Sequence, residues 1–175
     1  MDQCCRRNLS KWMVEIIFVK QFKGVGAIIL SEQTNKVMSV LRSPSESHPN
    51  TWTFAGGKVE QDEQPINALK RELEEELQLT KIKKIIPLHS YHSRSKDFVY
   101  DTYIVLVNKE FVPDLNEENI GYAWTDIDHL PGPLHPKTRQ MLSSKRLKEK
   151  FKNFYNWMDK KNGRNNTISQ KGTTS

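Results

Sequence analysis

The stretch Gly56–Leu79 reads GGKVEQDEQPINALKRELEEELQL and carries the most specific pattern in the chain. At about 100° per residue, this stretch predicts a helix that begins at Pro65, where a missing N–H costs little, and runs to about Leu77. The apolar stripe of this helix consists of Ile66, Leu69, Leu73 and Leu77. We expect the stripe to be buried against a sheet.

Four carboxylates occupy five positions of the same helix, namely Glu72, Glu74, Glu75 and Glu76. Carboxylates three or four residues apart destabilise a helix by roughly 0.2 to 0.5 kcal/mol per pair, so this crowding requires a cation. Glu72, Glu75 and Glu76 fall within an arc of about 100° beside the apolar stripe, whereas Glu74 points elsewhere. Three carboxylates on one face, at the edge of solvent, suit a hard divalent cation.

A salt-bridged helix would explain the same charges without a metal, because Lys70 can pair with Glu74 and Arg71 with Glu75. The preceding Gly56-Gly57 favours the metal site. It directly follows a predicted strand, and glycines in that place let a ligand approach the backbone.

Composition places the chain among globular proteins of one domain, with 175 residues, 36% hydrophobic residues and 27% charged residues. No apolar run reaches the ~20 residues of a membrane span, and no signal peptide pattern is present, which predicts a cytoplasmic protein. Cys4 and Cys5 are adjacent, which argues against an ordinary disulfide and against a zinc site. The net charge is +6, and most of it lies between Lys145 and Lys161.

Strand and helix patterns predict the mixed α/β class, with helices packed on a sheet. The predicted strands are 12–22, 26–30, 36–42, 52–54, 82–91, 98–107 and 122–125, with a turn at Lys23-Gly24 between the first two. A second helix is predicted over 138–160. The domain would span residues 12–161, preceded by a segment 1–11 and followed by a disordered tail 162–175.

The box around the glutamates resembles the Nudix hydrolase family. That family has a 23-residue box of fixed spacing, and eight positions match it, namely Gly57, Glu63, Arg71, Glu72, Leu73, Glu75, Glu76 and Leu79. Gln78 departs from the family's glycine, which ends the helix in a left-handed conformation. We therefore expect either a longer helix or a strained turn at Gln78. With Trp52–Gly57 before the box and Glu118–Trp124 and Leu130-Pro131 after it, the resemblance covers about residues 22–143.

The resemblance implies an α/β/α sandwich with a mixed sheet, the box helix on one side and the C-terminal helix on the other. It also implies hydrolysis of a diphosphate bond in a nucleotide or nucleotide conjugate by metal-activated water. The implied ligands of Mg²⁺ or Mn²⁺ are Glu72, Glu75, Glu76, the Gly56 carbonyl and Glu118. Glu72 and Glu118 are alternative general bases. Arg71 would pair with Glu63 and brace the loop against the helix.

Substrate contacts are predicted at Lys58, Arg42 and Trp52, although solvent exposure explains the two cations equally well and core packing is the more common role of such a tryptophan. Tyr91, Tyr100 and Tyr103 could stack on a base, but sheet packing is the more common role for each. The five histidines show no ligand spacing, so none is assigned a role. The window Arg94–Asp97 carries neither the proline typical of ADP-ribose hydrolases nor the tyrosine typical of dinucleoside polyphosphate hydrolases. The resemblance thus leaves the nucleotide open.

Two other functions fit the sequence. The basic segment Lys145–Lys161 could hold RNA by its phosphates while the box acts on a 5′ cap, with binding that depends steeply on salt. The same segment also reads as an amphipathic terminal helix that packs on the sheet. A catalytically silent nucleotide-binding module is disfavoured because every acidic position of the box is intact. A homodimer, formed through the strand Trp12–Phe22, is a further expectation.

Overall fold

A computed structural model describes residues 22–95 and 97–161 of the chain. Its strands are β1 (Phe22–Ser31), β2 (Val37–Arg42), β3 (Trp52–Thr53), β4 (Lys84–His92), β5 (Phe98–Val107) and β6 (Asn119–Thr125). Its helices are α1 (Pro65–Leu77), α2 (Pro136–Leu142) and α3 (Lys145–Lys161), with a 3-10 turn at Ile127–His129 before α2. The segment 1–11, most of the strand predicted at 12–22, Cys4, Cys5 and the tail 162–175 lie outside the described residues.

The six strands form one mixed sheet in the order β3-β2-β1-β5-β4, with β6 paired to the other edge of β2. The two central strands, β1 and β5, run parallel over ten residue pairs, and the β1–β2, β2–β3, β2–β6 and β4–β5 pairs are antiparallel. Only Ile29 and Leu30 of β1 pair with β2. Further back along β1, the loop after β3 takes over this edge through the bridges Ala27–Ala55 and Gly24–Lys58. β1 and β2 therefore separate on the N-terminal side of Ile29, where this loop lies along β1.

Alternation along β1 divides the core into two layers. Val25, Ala27 and Ile29 face α1. Ile28 and Leu30 face α3. Successive side chains of a strand point to opposite faces, so a central strand covered on both sides is apolar throughout. The predicted α/β/α sandwich, with α1 and α3 on opposite faces of the sheet, is confirmed.

Helix α1 begins at Pro65 and ends at Leu77, as predicted. Its apolar side is centred differently from the prediction: Leu69, Leu73 and Leu77 are buried, but Ile66 is 36% exposed. Ala68 and Glu76 are buried instead, so the buried side of α1 is rotated toward its carboxylate arc. Of the two expected helix exits, the structure shows the strained turn, in which Gln78 adopts φ 51° and ψ 31°.

Two elements differ from the prediction. The prediction of a turn at Lys23-Gly24 is wrong, since both residues lie inside β1 and pair with β5. The single helix over 138–160 is also wrong, since the chain forms α2 and α3 with a break at Ser143-Ser144. The Ser143 hydroxyl donates to the Gln140 carbonyl and the Ser144 hydroxyl accepts from the Leu147 amide, so both serines offer the backbone a partner outside the helix ladder.

Helix α3 is the amphipathic terminal helix that the sequence allowed. Leu147, Phe151 and Met158 are buried against the sheet, and Lys150 Nζ donates to the Leu88 carbonyl of β4 at 2.8 Å. Most of its cations face solvent, namely Lys145, Arg146, Lys148, Lys150, Lys152 and Lys160. The helix therefore covers one face of the sheet and displays a basic outer side.

Candidate active site

Glu76 is the buried centre of the carboxylate group, with only 5% of its surface exposed. Its Oε1 accepts a hydrogen bond from the Gly56 amide and its Oε2 accepts one from Asn119 Nδ2, each at 3.0 Å. Burial raises the pKa of Glu76 to about 7, although these two hydrogen bonds oppose the shift and the charges of Glu118 and Glu72 add to it. The side chain thus joins α1 to the glycine loop and to the start of β6.

The glycine loop fits closely between β1 and α1. The amide of Ala27 donates to Ala55 O at 2.8 Å and that of Val25 donates to Gly57 O at 2.9 Å, which fixes the loop on the edge of β1. Gly56 adopts φ +144°, and a Cβ there would overlap the β1 backbone. A Cβ at Gly57 would overlap the Glu72 carboxyl group. Gly56 therefore requires glycine, whereas a side chain at Gly57 would displace the end of the Glu72 side chain.

Arg71 connects the acidic residues of the box. Its Nη1 donates to Glu72 Oε1 at 2.9 Å and to Glu75 Oε2 at 3.0 Å. Its Nη2 donates to the Lys58 carbonyl at 2.9 Å and to Glu63 Oε2 at 3.1 Å. The hydrogen bond to Glu63 is the main cause that raises the pKa of Arg71 and lowers that of Glu63. The arginine contacts the loop and the helix together, in the arrangement expected of a brace.

Glu72 belongs to α1, whereas Glu118 belongs to the loop before β6. Burial raises the pKa of Glu72 above its usual value, opposed by Arg71 and reinforced by the charges of Glu75 and Glu118. Glu118 comes from the loop before β6, where its amide donates to Asn116 Oδ1 at 3.1 Å and its carbonyl accepts from the Ser43 amide at 2.8 Å. The structure brings Glu118 within electrostatic range of both Glu72 and Glu76, and its role as metal ligand or general base stays a prediction.

The donor set has the chemistry that a divalent cation prefers. All candidate ligands are oxygens, and the pKa values of Glu72 and Glu76 are raised partly by the neighbouring carboxylates, so a cation would relieve the repulsion. Within residues 22–95 and 97–161, no three acidic, histidine or cysteine side chains are already arranged to hold a metal. Arg71 holds Glu72 and Glu75 in the present arrangement. Arg71 bonds one oxygen of each, Glu72 Oε1 and Glu75 Oε2, so the second oxygen of each carboxylate is left for a cation.

A cleft of about 390 Å³ extends from Glu76 and Glu118 across the sheet face that carries α2. Its wall is aromatic at Tyr91, Phe98 and Tyr100, with Phe98 and Tyr100 stacked at 6.3 Å between ring centroids. The other polar or cationic residues that line it include Arg42, His89, Asn119, His135, Lys137 and Gln140. One end of the cleft is thus acidic, and the rest combines aromatic rings with cations.

The predicted substrate contacts separate into two groups. Arg42 lines the cleft, with Nε and Nη2 already bonded to Ser47 O and Glu46, each at 2.8 Å. Lys58 and Trp52 are not among the residues that line it. Contact of these three side chains with substrate stays a prediction.

Sequence reasoning missed several residues of the cleft. Asn119 is only 5% exposed and donates a hydrogen bond to Glu76. Its position next to Glu118, at the start of a strand, is the sequence feature that could have indicated it as a site residue. His135 accepts from the Lys137 amide through Nδ1 at 3.2 Å and lies 4.6 Å from His48 between ring centroids. Burial, followed by the charges of His48, Arg42 and Lys137, lowers the pKa of His135. No spacing in the sequence indicates this cluster, because loops distant in the chain assemble it.

The family model of the NUDIX domain matches residues 20–144, which is most of the chain. The chain belongs to the Nudix hydrolase family. The resemblance seen in the box is therefore confirmed, and it places the protein in a family of pyrophosphohydrolases that generally use divalent metal ions and act on nucleotide derivatives.

Two relatives and one solved structure illustrate the similarity. The nucleoside triphosphatase NudI of Escherichia fergusonii is 32% identical over 113 residues, which cover 57% of this chain and 79% of that protein. The CTP pyrophosphohydrolase of Escherichia coli is 44% identical over 59 residues, which cover 34% of this chain and 42% of that protein, less than half of its length. The crystal structure of a MutT Nudix hydrolase from Burkholderia pseudomallei superposes with a TM-score of 0.54 at 22% identity, covering 73% of this chain and 96% of that one, and shows the shared fold.

Among the helices of the described residues, none is both long and apolar enough to cross a membrane.

Proposed function

We propose that this Nudix protein hydrolyses a diphosphate bond in a nucleotide, with Mg²⁺ or Mn²⁺ as cofactor. The observation that supports this most directly is the buried Glu76, fixed by Gly56 and Asn119 and surrounded by further carboxylates at the acidic end of a cleft. A buried carboxylate with so much neighbouring negative charge is costly for the fold unless a cation is its partner.

Glu72, Glu75 and Glu76 would hold the cation, with the Gly56 carbonyl and Glu118 as further ligands. A bound divalent cation neutralises phosphate oxygens and lowers the pKa of a water molecule. The chain's own part is to hold the diphosphate at the acidic end of the cleft and to accept the proton of the attacking water. Glu72 and Glu118 are the two candidates for this base, and the raised pKa of Glu72 brings it nearer to the working range of a general base.

Nucleoside triphosphates are the first substrates to test, because the two relatives described above are named as a CTP pyrophosphohydrolase and a nucleoside triphosphatase. The aromatic wall of Tyr91, Phe98 and Tyr100 suits a base, and Lys137 and His135 suit anionic groups.

The decisive experiment measures hydrolysis of CTP, the other nucleoside triphosphates and ADP-ribose with Mg²⁺ or Mn²⁺. Glu75→Gln and Glu76→Gln should each lose most of the activity, whereas Glu74→Gln, on the solvated side of α1, should retain it. Full metal-dependent turnover by Glu75→Gln or Glu76→Gln would overturn the metal assignment.

The RNA-directed role rests on the exposed cations of α3, such as Lys148 and Lys152. If it is correct, the protein should shift RNA in a gel at 50 mM salt and lose most of that binding at 200 mM salt, as expected for counterion release, roughly by a factor of 10³ or more for six phosphate contacts. Binding of nucleotides without hydrolysis would instead identify a silent module.

A further inference from the structure

We propose that the Tyr100 hydroxyl donates a hydrogen bond to a phosphate oxygen of the substrate. This inference rests on the proposed function, because it places the diphosphate at the acidic end of the cleft. It adds a substrate-contacting residue that lies outside the box, on β5.

The position of the Tyr100 ring is fixed by two glycines of β1. Tyr100 is paired with Gly24 across the parallel β1–β5 ladder, and its ring lies over both Gly24 and Gly26. A Cβ added at Gly24 would lie 2.8 Å from Tyr100 Cδ2, and a Cβ at Gly26 would overlap the hydroxyl. An aromatic ring that covers a strand glycine has few other places to go. The two glycines thus direct the hydroxyl along β1, from Gly24 toward Gly26.

The hydroxyl is thereby brought to the acidic end of the cleft. It lies against Gly26, and Gly26 Cα is so close to Gly56 that a Cβ there would approach it to 2.6 Å. The Gly56 amide in turn donates to Glu76. Gly26, Gly56, Glu76 and Tyr100 all line the same cleft. Gly26 and Gly56 therefore connect the Tyr100 hydroxyl to the buried carboxylate of Glu76 through successive contacts.

Within residues 22–95 and 97–161, the Tyr100 hydroxyl makes no hydrogen bond to a protein group, and it is not among the fully buried polar atoms that lack a partner. The buried end of Tyr155, by contrast, donates to Asn35 O at 2.9 Å. Tyr100 is partly buried and lines the cleft, so its hydroxyl is available to donate to a ligand bound there.

The chemistry of the surroundings selects a phosphate oxygen as that ligand. A phenol is protonated at neutral pH and can donate, while an ionised phosphate oxygen can only accept. A neutral donor also suits this place better than a lysine or arginine would, because it does not compete with a metal cation for the carboxylates. The hydroxyl would hold the diphosphate in register with Glu72, Glu75 and Glu76.

The test compares Tyr100→Phe with the wild type, using CTP and Mg²⁺ and any nucleotide found to be a better substrate. Removing one hydrogen bond to a charged group should lower kcat/KM by about tenfold to a hundredfold. The melting temperature should not change, because the ring stays over the glycines. Tyr122→Phe is the matched control, since Tyr122 lies on β6 of the same sheet, is partly buried and does not line the cleft. It should keep kcat/KM within about twofold of wild type.

Inorganic pyrophosphate, used as a competitive inhibitor, separates a phosphate contact from a base contact. Tyr100→Phe should weaken inhibition by pyrophosphate by a similar factor. Gly26→Ala would displace the hydroxyl. It should lower kcat/KM strongly when it is introduced into the wild-type protein, and much less when it is introduced into the Tyr100→Phe variant.

The inference is overturned if the wild type hydrolyses nucleotides and Tyr100→Phe matches it, or if pyrophosphate inhibition is unchanged in a variant with lowered kcat/KM. In both cases the proposed function stands. If the wild type hydrolyses no nucleotide with Mg²⁺ or Mn²⁺, the proposed function fails and the inference fails with it.

Discussion

Asn119 donates its side-chain amide to Glu76 Oε2 at 3.0 Å, and this bond joins the start of β6 to the helix α1. Both side chains are only 5% exposed. The bond places the loop that carries Glu118 beside the carboxylates of the box, so one amide positions two distant parts of the site.

Asn119→Ala should destabilise the protein by about 1 to 3 kcal/mol, because it leaves a buried carboxylate oxygen without its donor. It should also lower hydrolysis, since the loop that carries Glu118 loses its attachment to α1. Urea unfolding and steady-state kinetics would measure the two effects. Asn156→Ala, at an exposed position of α3, is the control and should change stability by less than about 0.5 kcal/mol. Equal effects of the two variants on stability would contradict the role of Asn119.

The raised pKa of Glu76 predicts a pH dependence for the stability of the metal-free protein. The pKa rises from 4.5 to about 7 on folding, so the folded state binds the proton more tightly than the unfolded state does. The contribution of Glu76 to the free energy of unfolding is therefore fully present below about pH 4.5 and is lost as the pH rises through about 7. From the size of the pKa shift, this loss is at most about 3 kcal/mol.

Glu76→Gln should remove this dependence, because the amide stays neutral and Asn119 can turn its own amide to keep a hydrogen bond. In EDTA, the variant should be more stable than wild type at pH 8 and similar to it at pH 4.5. Chemical denaturation at the two pH values measures this. A variant that is less stable than wild type at pH 8 would show that the Glu76 carboxylate is not strained in the metal-free protein.

The sequence was sufficient for the residues that belong to one continuous pattern. Helix periodicity places Glu72, Glu75 and Glu76 on one arc, and the family resemblance paired Arg71 with Glu63, a contact that the structure contains. The apolar run of residues 26–30 predicted a strand, but not its place at the centre of the sheet.

Residues that meet through the sheet could not be read from spacing. Asn119 reaches Glu76 only because β6 pairs with β2. Tyr100 reaches Gly24 and Gly26 only because β5 lies parallel to β1. The split of the second helix was missed since Ser143-Ser144 interrupts an apolar period that continues on both sides. The turn at Lys23-Gly24 was wrong for a related reason: Gly24 is there to make room for the Tyr100 ring rather than to bend the chain.

Gln78→Gly should stabilise the protein by up to about 1 kcal/mol. Gln78 occupies the left-handed region, where its amide donates to Glu74 O at 2.9 Å and the amide of Leu79 donates to Leu73 O at 3.1 Å. A side chain in that conformation costs roughly 1 to 2 kcal/mol, and glycine avoids most of this cost while it loses some backbone entropy. Thermal unfolding measures the change. Lys70→Gly, at an exposed position inside α1, should have the opposite sign and cost about 1 kcal/mol. Loss of stability in Gln78→Gly would mean that the side chain itself stabilises the turn.

Mg²⁺ or Mn²⁺ should stabilise the folded protein through the same carboxylates that support hydrolysis. At a free concentration a hundred times the dissociation constant, a cation that binds only the folded state adds about 2.7 kcal/mol to the free energy of unfolding. Because Glu75 is half exposed and held by Arg71 in the absence of metal, Glu75→Gln should lose most of this stabilisation without a large change in the stability of the metal-free protein.

Glu74→Gln removes the same charge from the solvated side of α1 and should keep the full effect, which separates a metal ligand from the general acidity of the helix. Thermal shift with titrated metal measures both variants, and EDTA should abolish hydrolysis in the wild type. An equal loss of stabilisation in the two variants would mean that the cation binds the acidic helix as a diffuse counterion, and would remove the case for a metal site at Glu75.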